Sequence, residues 1–263
     1  MILTKAEKRE MRKSVTKKNE KEKLEGLTLF PSAVQVFNDP SLECYFKPLL
    51  SVKKYVLGKE YNIHFLSTDG LFSEKVFLNS ERGFWGFKNN NGKYDFLGDI
   101  KTFGNSNFNE LFSALKKDFN ENKEFYFENK VSYKDYYKKN KELVKNIARF
   151  TKEQDPQYFT EAFYCYEFIK YYFEKTGEFL HINEVTENYG NDENEILLSV
   201  DDVSYCIEEF FLNLEYNLEN KYNISPNMAV CGVEGFRFTC WGGTVVAFVN
   251  TEQDIIYILE YHS

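Results

Sequence analysis

The C-terminal stretch from Met228 to His262 constrains the fold of this chain more than any other. Three segments rich in Val, Phe, Ile, Tyr and Thr follow one another in it: Phe236–Trp241, Thr244–Asn250 and Ile255–Tyr261. Such residues suit a pleated, half-buried surface. Gly242-Gly243 separates the first two and can take the positive φ of a tight hairpin turn. Thr251-Glu252-Gln253-Asp254 separates the second and third, and Met228–Val233 reads as a fourth segment broken at Gly232. The pattern predicts an antiparallel meander whose apolar face must be covered, with the helices upstream as the cover.

Those helices are marked by their ends. Asp155-Pro156 supplies a cap and a first-turn proline, and Gly177 closes a helix that runs to about Lys175. Phe159, Phe163, Tyr166, Ile169 and Phe173 form one stripe on it; Tyr158, Cys165, Phe168 and Tyr172 form another. A helix apolar on several sides belongs largely in the interior. Ser132 with Asp135 predicts a helix to about Phe150, and Ser199 with Asp202 predicts one carrying Val203, Ile207, Phe210 and Leu214. Asn107 opens a further helix through Leu111, Phe112, Leu115 and Phe119, after which Glu124–Phe127 reads as a strand.

From Leu27 to Phe127 short β segments dominate: Ala33–Phe37, Glu43–Phe46, Val52–Leu57, Tyr61–Leu66, Lys75–Leu78, Phe84–Phe87 and Tyr94–Leu97. Asn89-Asn90-Asn91-Gly92 is a hairpin signal between the last two. Phe179–Ile182 reads as one more short strand, and the acidic run after it as a loop. The expected class is therefore α+β, with antiparallel elements in the N-terminal half, a C-terminal β-meander and three longer helices. The organisation read is a basic arm over 1–26, a β-rich lobe over 27–130 and a helical lobe with the meander over 131–263. No Pro/Gly/Ser-rich linker marks the second boundary, so the two lobes also read as one continuous domain.

Charge is unevenly spread. Residues 1–25 hold nine lysines and arginines against five glutamates, or +4; the net charge of −8 leaves −12 for the remainder. An acidic body disfavours nucleic acid outside that arm. No apolar run is long enough to span a membrane, and no leader-like segment follows the basic start. Five scattered cysteines, with no CxxC pair, fit reduced thiols of a cytoplasmic protein better than a disulfide framework.

Chemistry-bearing patterns are sparse. Cys240 and His262, with Asp254 or Asn250 to orient the imidazole, compose a thiol-hydrolase set in the right chain order. Against it, Cys240 falls in a strand segment and His262 is the penultimate residue. His64, His181 and His262 are too scattered for a metal site, and Glu184, Glu187, Asp192, Glu193 and Glu195 lack the order of a calcium loop. Neither phosphate-loop motif occurs, so no cofactor is expected. The residues best suited to meeting a partner are Trp85 and Phe87 in an aromatic turn, Tyr189, Asp192 and Glu193 in the acidic loop, and Trp241. The function expected is a protein-binding module of immunity or inhibitor type that takes a basic partner. The alternatives are a thiol-dependent hydrolase using Cys240 and His262, and a nucleic-acid-associated protein acting through the basic arm.

Overall fold

A computed structural model describes residues 26–73, 75, 77–81, 83–104, 107–129, 133–147, 154–179, 196–217, 222 and 224–262. The basic arm, His181 and the acidic loop with Tyr189, Asp192 and Glu193 lie outside the described residues. Among the described residues the fold is mixed α+β, with two antiparallel sheets and five α-helices.

The smaller sheet has the order β1 (Leu27–Leu29), β2 (Lys47–Val56), β3 (Lys59–Ser67). The larger is built from β4 (Ser80–Glu81), β5 (Phe84–Asn90), β6 (Lys93–Phe96), β7 (Leu197–Leu198), β8 (Ala229–Glu234), β9 (Thr244–Asn250) and β10 (Ile255–Tyr261). Its order is β4-β5-β10-β9-β8-β7, with β6 also paired to β5. The C-terminal meander thus forms the middle of the main sheet. Its residues alternate between two separate cores, as the period of two dictates. Val245, Ala247, Val249, Ile256 and Ile258 face the larger core, while Val246, Phe248, Tyr257 and Leu259 face the smaller. Both faces are therefore covered, where the sequence pattern called for cover on one. The larger core is closed by the small sheet and by α4 (Pro156–Thr176). The smaller core is closed by α5 (Ser204–Asn217) through Cys206, Ile207 and Phe210.

The helix α4 is built as its ends predict. Asp155 accepts from the backbone N–H of Gln157 at 2.8 Å, and Gly177 closes the helix at φ 71°. Phe159, Phe163, Tyr164, Tyr166 and Ile169 are all buried. Tyr166 donates to the carbonyl of Pro48 at 2.6 Å, tying the helix to β2. Two further helices flank it, α2 (Phe108–Glu128) and α3 (Tyr133–Ile147). Phe108 meets Phe159 at 5.1 Å and Phe112 meets Phe163 at 5.3 Å between ring centroids. From α3, Asn140 donates to the Tyr164 hydroxyl at 2.8 Å. The Ser199–Asp202 box forms in both directions, and α5 begins a turn later at Ser204.

Several expected strands are corrected. Ala33–Phe37 is instead the short helix α1 (Ala33–Val36), because Ser32 and Gln35 make a reciprocal capping box. Glu43–Phe46 is replaced by a 3-10 helix over Pro40–Cys44, capped by Asp39. Glu124–Phe127 continues α2, whose fourth and fifth turns are held by Asp118 accepting from Asn122 and from the Tyr126 hydroxyl. Lys75–Leu78 forms no strand among its described residues; Phe77 makes one isolated bridge to Ser80. The hairpin at Asn91-Gly92 stands, with φ of 53° and 81° at those two residues.

The largest correction is in the meander. Phe236–Trp241 is not a strand, and Gly242-Gly243 is not a hairpin turn. β8 pairs directly with β9, and the stretch from Gly235 to Gly243 is a folded loop containing a 3-10 helix over Gly235–Arg237. Its glycines serve close approach rather than positive φ. A side chain on Gly243 would strike the carbonyl of Tyr261, and one on Gly235 would strike the carbonyl of Gly243. The Gly235 N–H donates to that same Gly243 carbonyl at 2.8 Å.

Candidate functional site

Two short 3-10 helices and the end of one strand frame an open groove of about 430 Å³. Asp39 begins the helix Pro40–Cys44, Asp95 and Phe96 end β6, and Asp99 begins the helix Ile100–Phe103. Leu42, Phe96 and Ile100 line the groove together with the three aspartates and Gly98. Phe96 is seated on the main core, 4.9 Å from Phe46 and 5.4 Å from Phe87 between centroids. Ile100 and the adjoining Leu97 are exposed to 42% and 37%.

Each aspartate is held by a donor of its own. Asp39 accepts from the Ser41 N–H at 3.0 Å and Asp99 from the Lys101 N–H at 2.9 Å. Asp95 accepts from Asn38 at 2.9 Å and from Asn90 at 3.1 Å. These bonds fix the carboxylates in direction before any ligand arrives. The ammonium of Lys101 stands 3.9 Å from Asp99. Among the described residues no group of three or more His, Cys, Asp or Glu could hold a metal ion, so the aspartates do not converge on a common ion. Three spaced carboxylates over an apolar floor suit a lysine or arginine, whose charged head and aliphatic stem ask for both surfaces at once.

The Cys240, His262 and Asp254 set is not assembled. Cys240 is 4% exposed and joined to Cys165 of α4 in a disulfide, with Cα atoms 5.9 Å apart. It offers no thiol. Asp254 precedes β10 and His262 follows it, so a full strand separates them, about 25 Å at 3.3 Å per residue. Asp254 instead receives the ammonium of Lys59 and the Tyr61 hydroxyl, and those donors hold its carboxyl below the usual range. Asn250, which accepts from the Gln253 N–H at 3.1 Å, is at that same far end. The expectation of five reduced thiols is corrected by the Cys165–Cys240 bond, and the compartment argument built on it falls with it. Cys44, Cys206 and Cys231 are free and buried; burial pushes Cys44 up to about 12 and Cys231 to about 11.

The aromatic candidates divide. Trp85, 1% exposed, and Phe87, fully buried, are core residues of β5 and present no surface. Trp241 is half-buried against Tyr158 at 4.9 Å. Behind this pair is a buried polar knot that no sequence pattern announces. Glu260 accepts from the N–H and the hydroxyl of Thr68, each at 2.8 Å, and from the Ser67 hydroxyl. Asp69 accepts from the Tyr158 hydroxyl at 2.6 Å, and Lys47 donates to the Asp69 carbonyl. His262 is 3.9 Å from Glu260 at its edge. Burial holds the Lys47 ammonium below its ordinary range against the pull of Asp69 and Glu260. The knot joins β2, β3, β10 and α4, and its charged members are almost entirely closed to solvent.

Asp39, Asp95 and Asp99 were not legible as site residues in the sequence. The capping pattern of Asp39 and Asp99 was the one available clue. No protein-family model, no curated protein and no solved structure matches this chain. No helix among the described residues is long and apolar enough to cross a membrane.

Proposed function

We propose that this protein is a protein-binding module that takes a basic partner, in the way an immunity or inhibitor protein masks a basic protein. The groove framed by Asp39, Asp95 and Asp99 carries this reading: pre-oriented carboxylates above Leu42 and Phe96 match a lysine or arginine presented beside apolar side chains. The excess of acidic residues outside the N-terminal arm supports it, because a long-range negative field speeds encounter with a cationic partner. The test is a peptide array of basic, neutral and acidic segments probed with the protein at two ionic strengths. Retention of Lys/Arg-bearing peptides that weakens with salt and is lost in Asp95→Asn/Asp99→Asn supports the reading. Retention indifferent to peptide charge overturns it.

A further inference from the structure

Ser51 of β2 and His64 of β3 stand directly opposite each other in the small sheet. The Ser51 hydroxyl lies 2.6 Å from His64 Nδ1, and Nε2 lies 2.8 Å from the carbonyl of Gly92. A carbonyl can only accept, so Nε2 carries the ring hydrogen. Nδ1 is then a bare lone pair, and Ser51 donates to it. The ring is held in that orientation. It meets Tyr94 edge-on at 4.7 Å between centroids, and the His64 backbone N–H donates to the Tyr94 hydroxyl at 2.9 Å. Gly92 is fixed as well, at φ 81° in the turn between β5 and β6, where the Asn62 amide fills the space a side chain would need. Burial keeps the imidazole neutral, which is the form a base requires. The histidine is 4% exposed, yet the serine is only half-buried. Thr28 beside it on β1 and Lys53 two residues on share its face of the sheet and are exposed.

A nucleophile bonded to a base, a base held by a third group, and a solvent path to the nucleophile are the parts of an acyl-transfer site. We infer that Ser51 and His64 form a nucleophile–base dyad that cleaves activated acyl esters. Ser51 Oγ bonds to the acyl carbon as its proton passes to Nδ1. The tetrahedral adduct then collapses, the bond to the leaving oxygen breaks, and that oxygen takes the proton from Nδ1. Water repeats the exchange on the acyl-serine, releasing the acid and restoring both side chains. While His64 holds the proton, the Gly92 carbonyl supports the imidazolium from the other side of the ring, in the place a carboxylate takes in a triad. The open sheet face suits a small acyl group with a good leaving group. None of these residues lines the aspartate groove, so the inference stands apart from the basic-partner reading.

The test treats the full chain with an alkyl fluorophosphonate, whose serine adduct does not hydrolyse, and locates the adduct by peptide mapping. In parallel, p-nitrophenyl acetate reads turnover. Wild type should be labelled at Ser51 and should release nitrophenolate. Ser51→Ala should lose both signals, and His64→Gln should slow labelling of the serine by at least about 100-fold. Because His64 is buried, a second variant keeps the histidine in place: the thiol of Ser51→Cys should react with iodoacetamide at least about tenfold faster than free cysteine at the same pH. A wild type unlabelled at Ser51 overturns the inference. So does labelling undiminished in His64→Gln, or a Ser51→Cys thiol no faster than free cysteine.

Discussion

Cys165, in the middle of α4, is bonded to Cys240, in the loop between β8 and β9, across 75 residues of chain. The bond fastens the helix that closes the main core to the loop that carries Trp241. A cross-link of that span limits the unfolded chain strongly, about 4 kcal/mol in the chain-entropy view. Cys165→Ala/Cys240→Ala, or the reduced wild type, is therefore expected to lose about 3–4 kcal/mol in urea unfolding. Equal stability before and after full reduction would contradict this pairing.

Gly243 is where the loop leaves Tyr261 no room. Gly243→Ala puts a methyl group against a strand carbonyl that β10 cannot move without breaking its ladder with β9. Overpacking of this kind costs about 1–3 kcal/mol. The change should appear as a lower denaturation midpoint with an unchanged slope. A neutral effect would mean that Gly242-Gly243 forms the simple turn the sequence suggests.

His64 sets a pH dependence whose sign can be worked out. Its ring is buried, with Nδ1 2.6 Å from the Ser51 hydroxyl and Nε2 2.8 Å from the Gly92 carbonyl. Burial lowers its folded pKa below the ordinary 6.5, so the neutral form belongs to the folded state. The unfolded chain then binds the proton first. The stability His64 contributes is complete above about pH 6.5 and is lost as pH falls through the folded value. Relative to wild type, His64→Gln should flatten the fall in unfolding free energy below pH 6.5. An identical pH profile in both proteins would contradict the buried, neutral ring.

Lys47, itself buried, donates to the backbone carbonyl of Asp69. Lys47→Ala removes that donor and leaves the buried carbonyl without it, a change that costs about 1–3 kcal/mol. Chemical denaturation measures it directly. A loss under about 1 kcal/mol would show that water reaches the knot.

What the sequence showed and hid follows from the range of the interactions. The cap at Asp155, the stop at Gly177 and the turn at Asn91-Gly92 are local, and each was legible. The strands Thr244–Asn250 and Ile255–Tyr261 were legible because their residues suit a sheet wherever it is placed. Phe236–Trp241 misled because its composition is that of a strand, while Gly235 and Gly243 fold it by contacts visible only in space. Ala33–Phe37 misled in the same way: its residues suit a strand, while Ser32 and Gln35 cap a helix. Asp254 and His262 looked near because eight positions are few in sequence, yet in a strand they are far apart. The groove unites residues 39, 42, 95, 96 and 98–100, a meeting that depends on how β6 is set beside the helix Pro40–Cys44. The pairing of Cys165 with Cys240 is of the same kind.

The most direct measurement is calorimetric titration of a lysine- and arginine-bearing peptide with apolar neighbours into wild type and into Asp39→Asn/Asp95→Asn/Asp99→Asn. Asparagine keeps the two helix caps while removing the charge, so the groove keeps its shape. Wild type should bind with an affinity that falls as salt rises, and the triple variant should bind at least about tenfold more weakly, near 1.4 kcal/mol. Equal binding by both proteins, or equal binding of an acidic peptide of the same apolar content, would contradict a groove built for a basic partner.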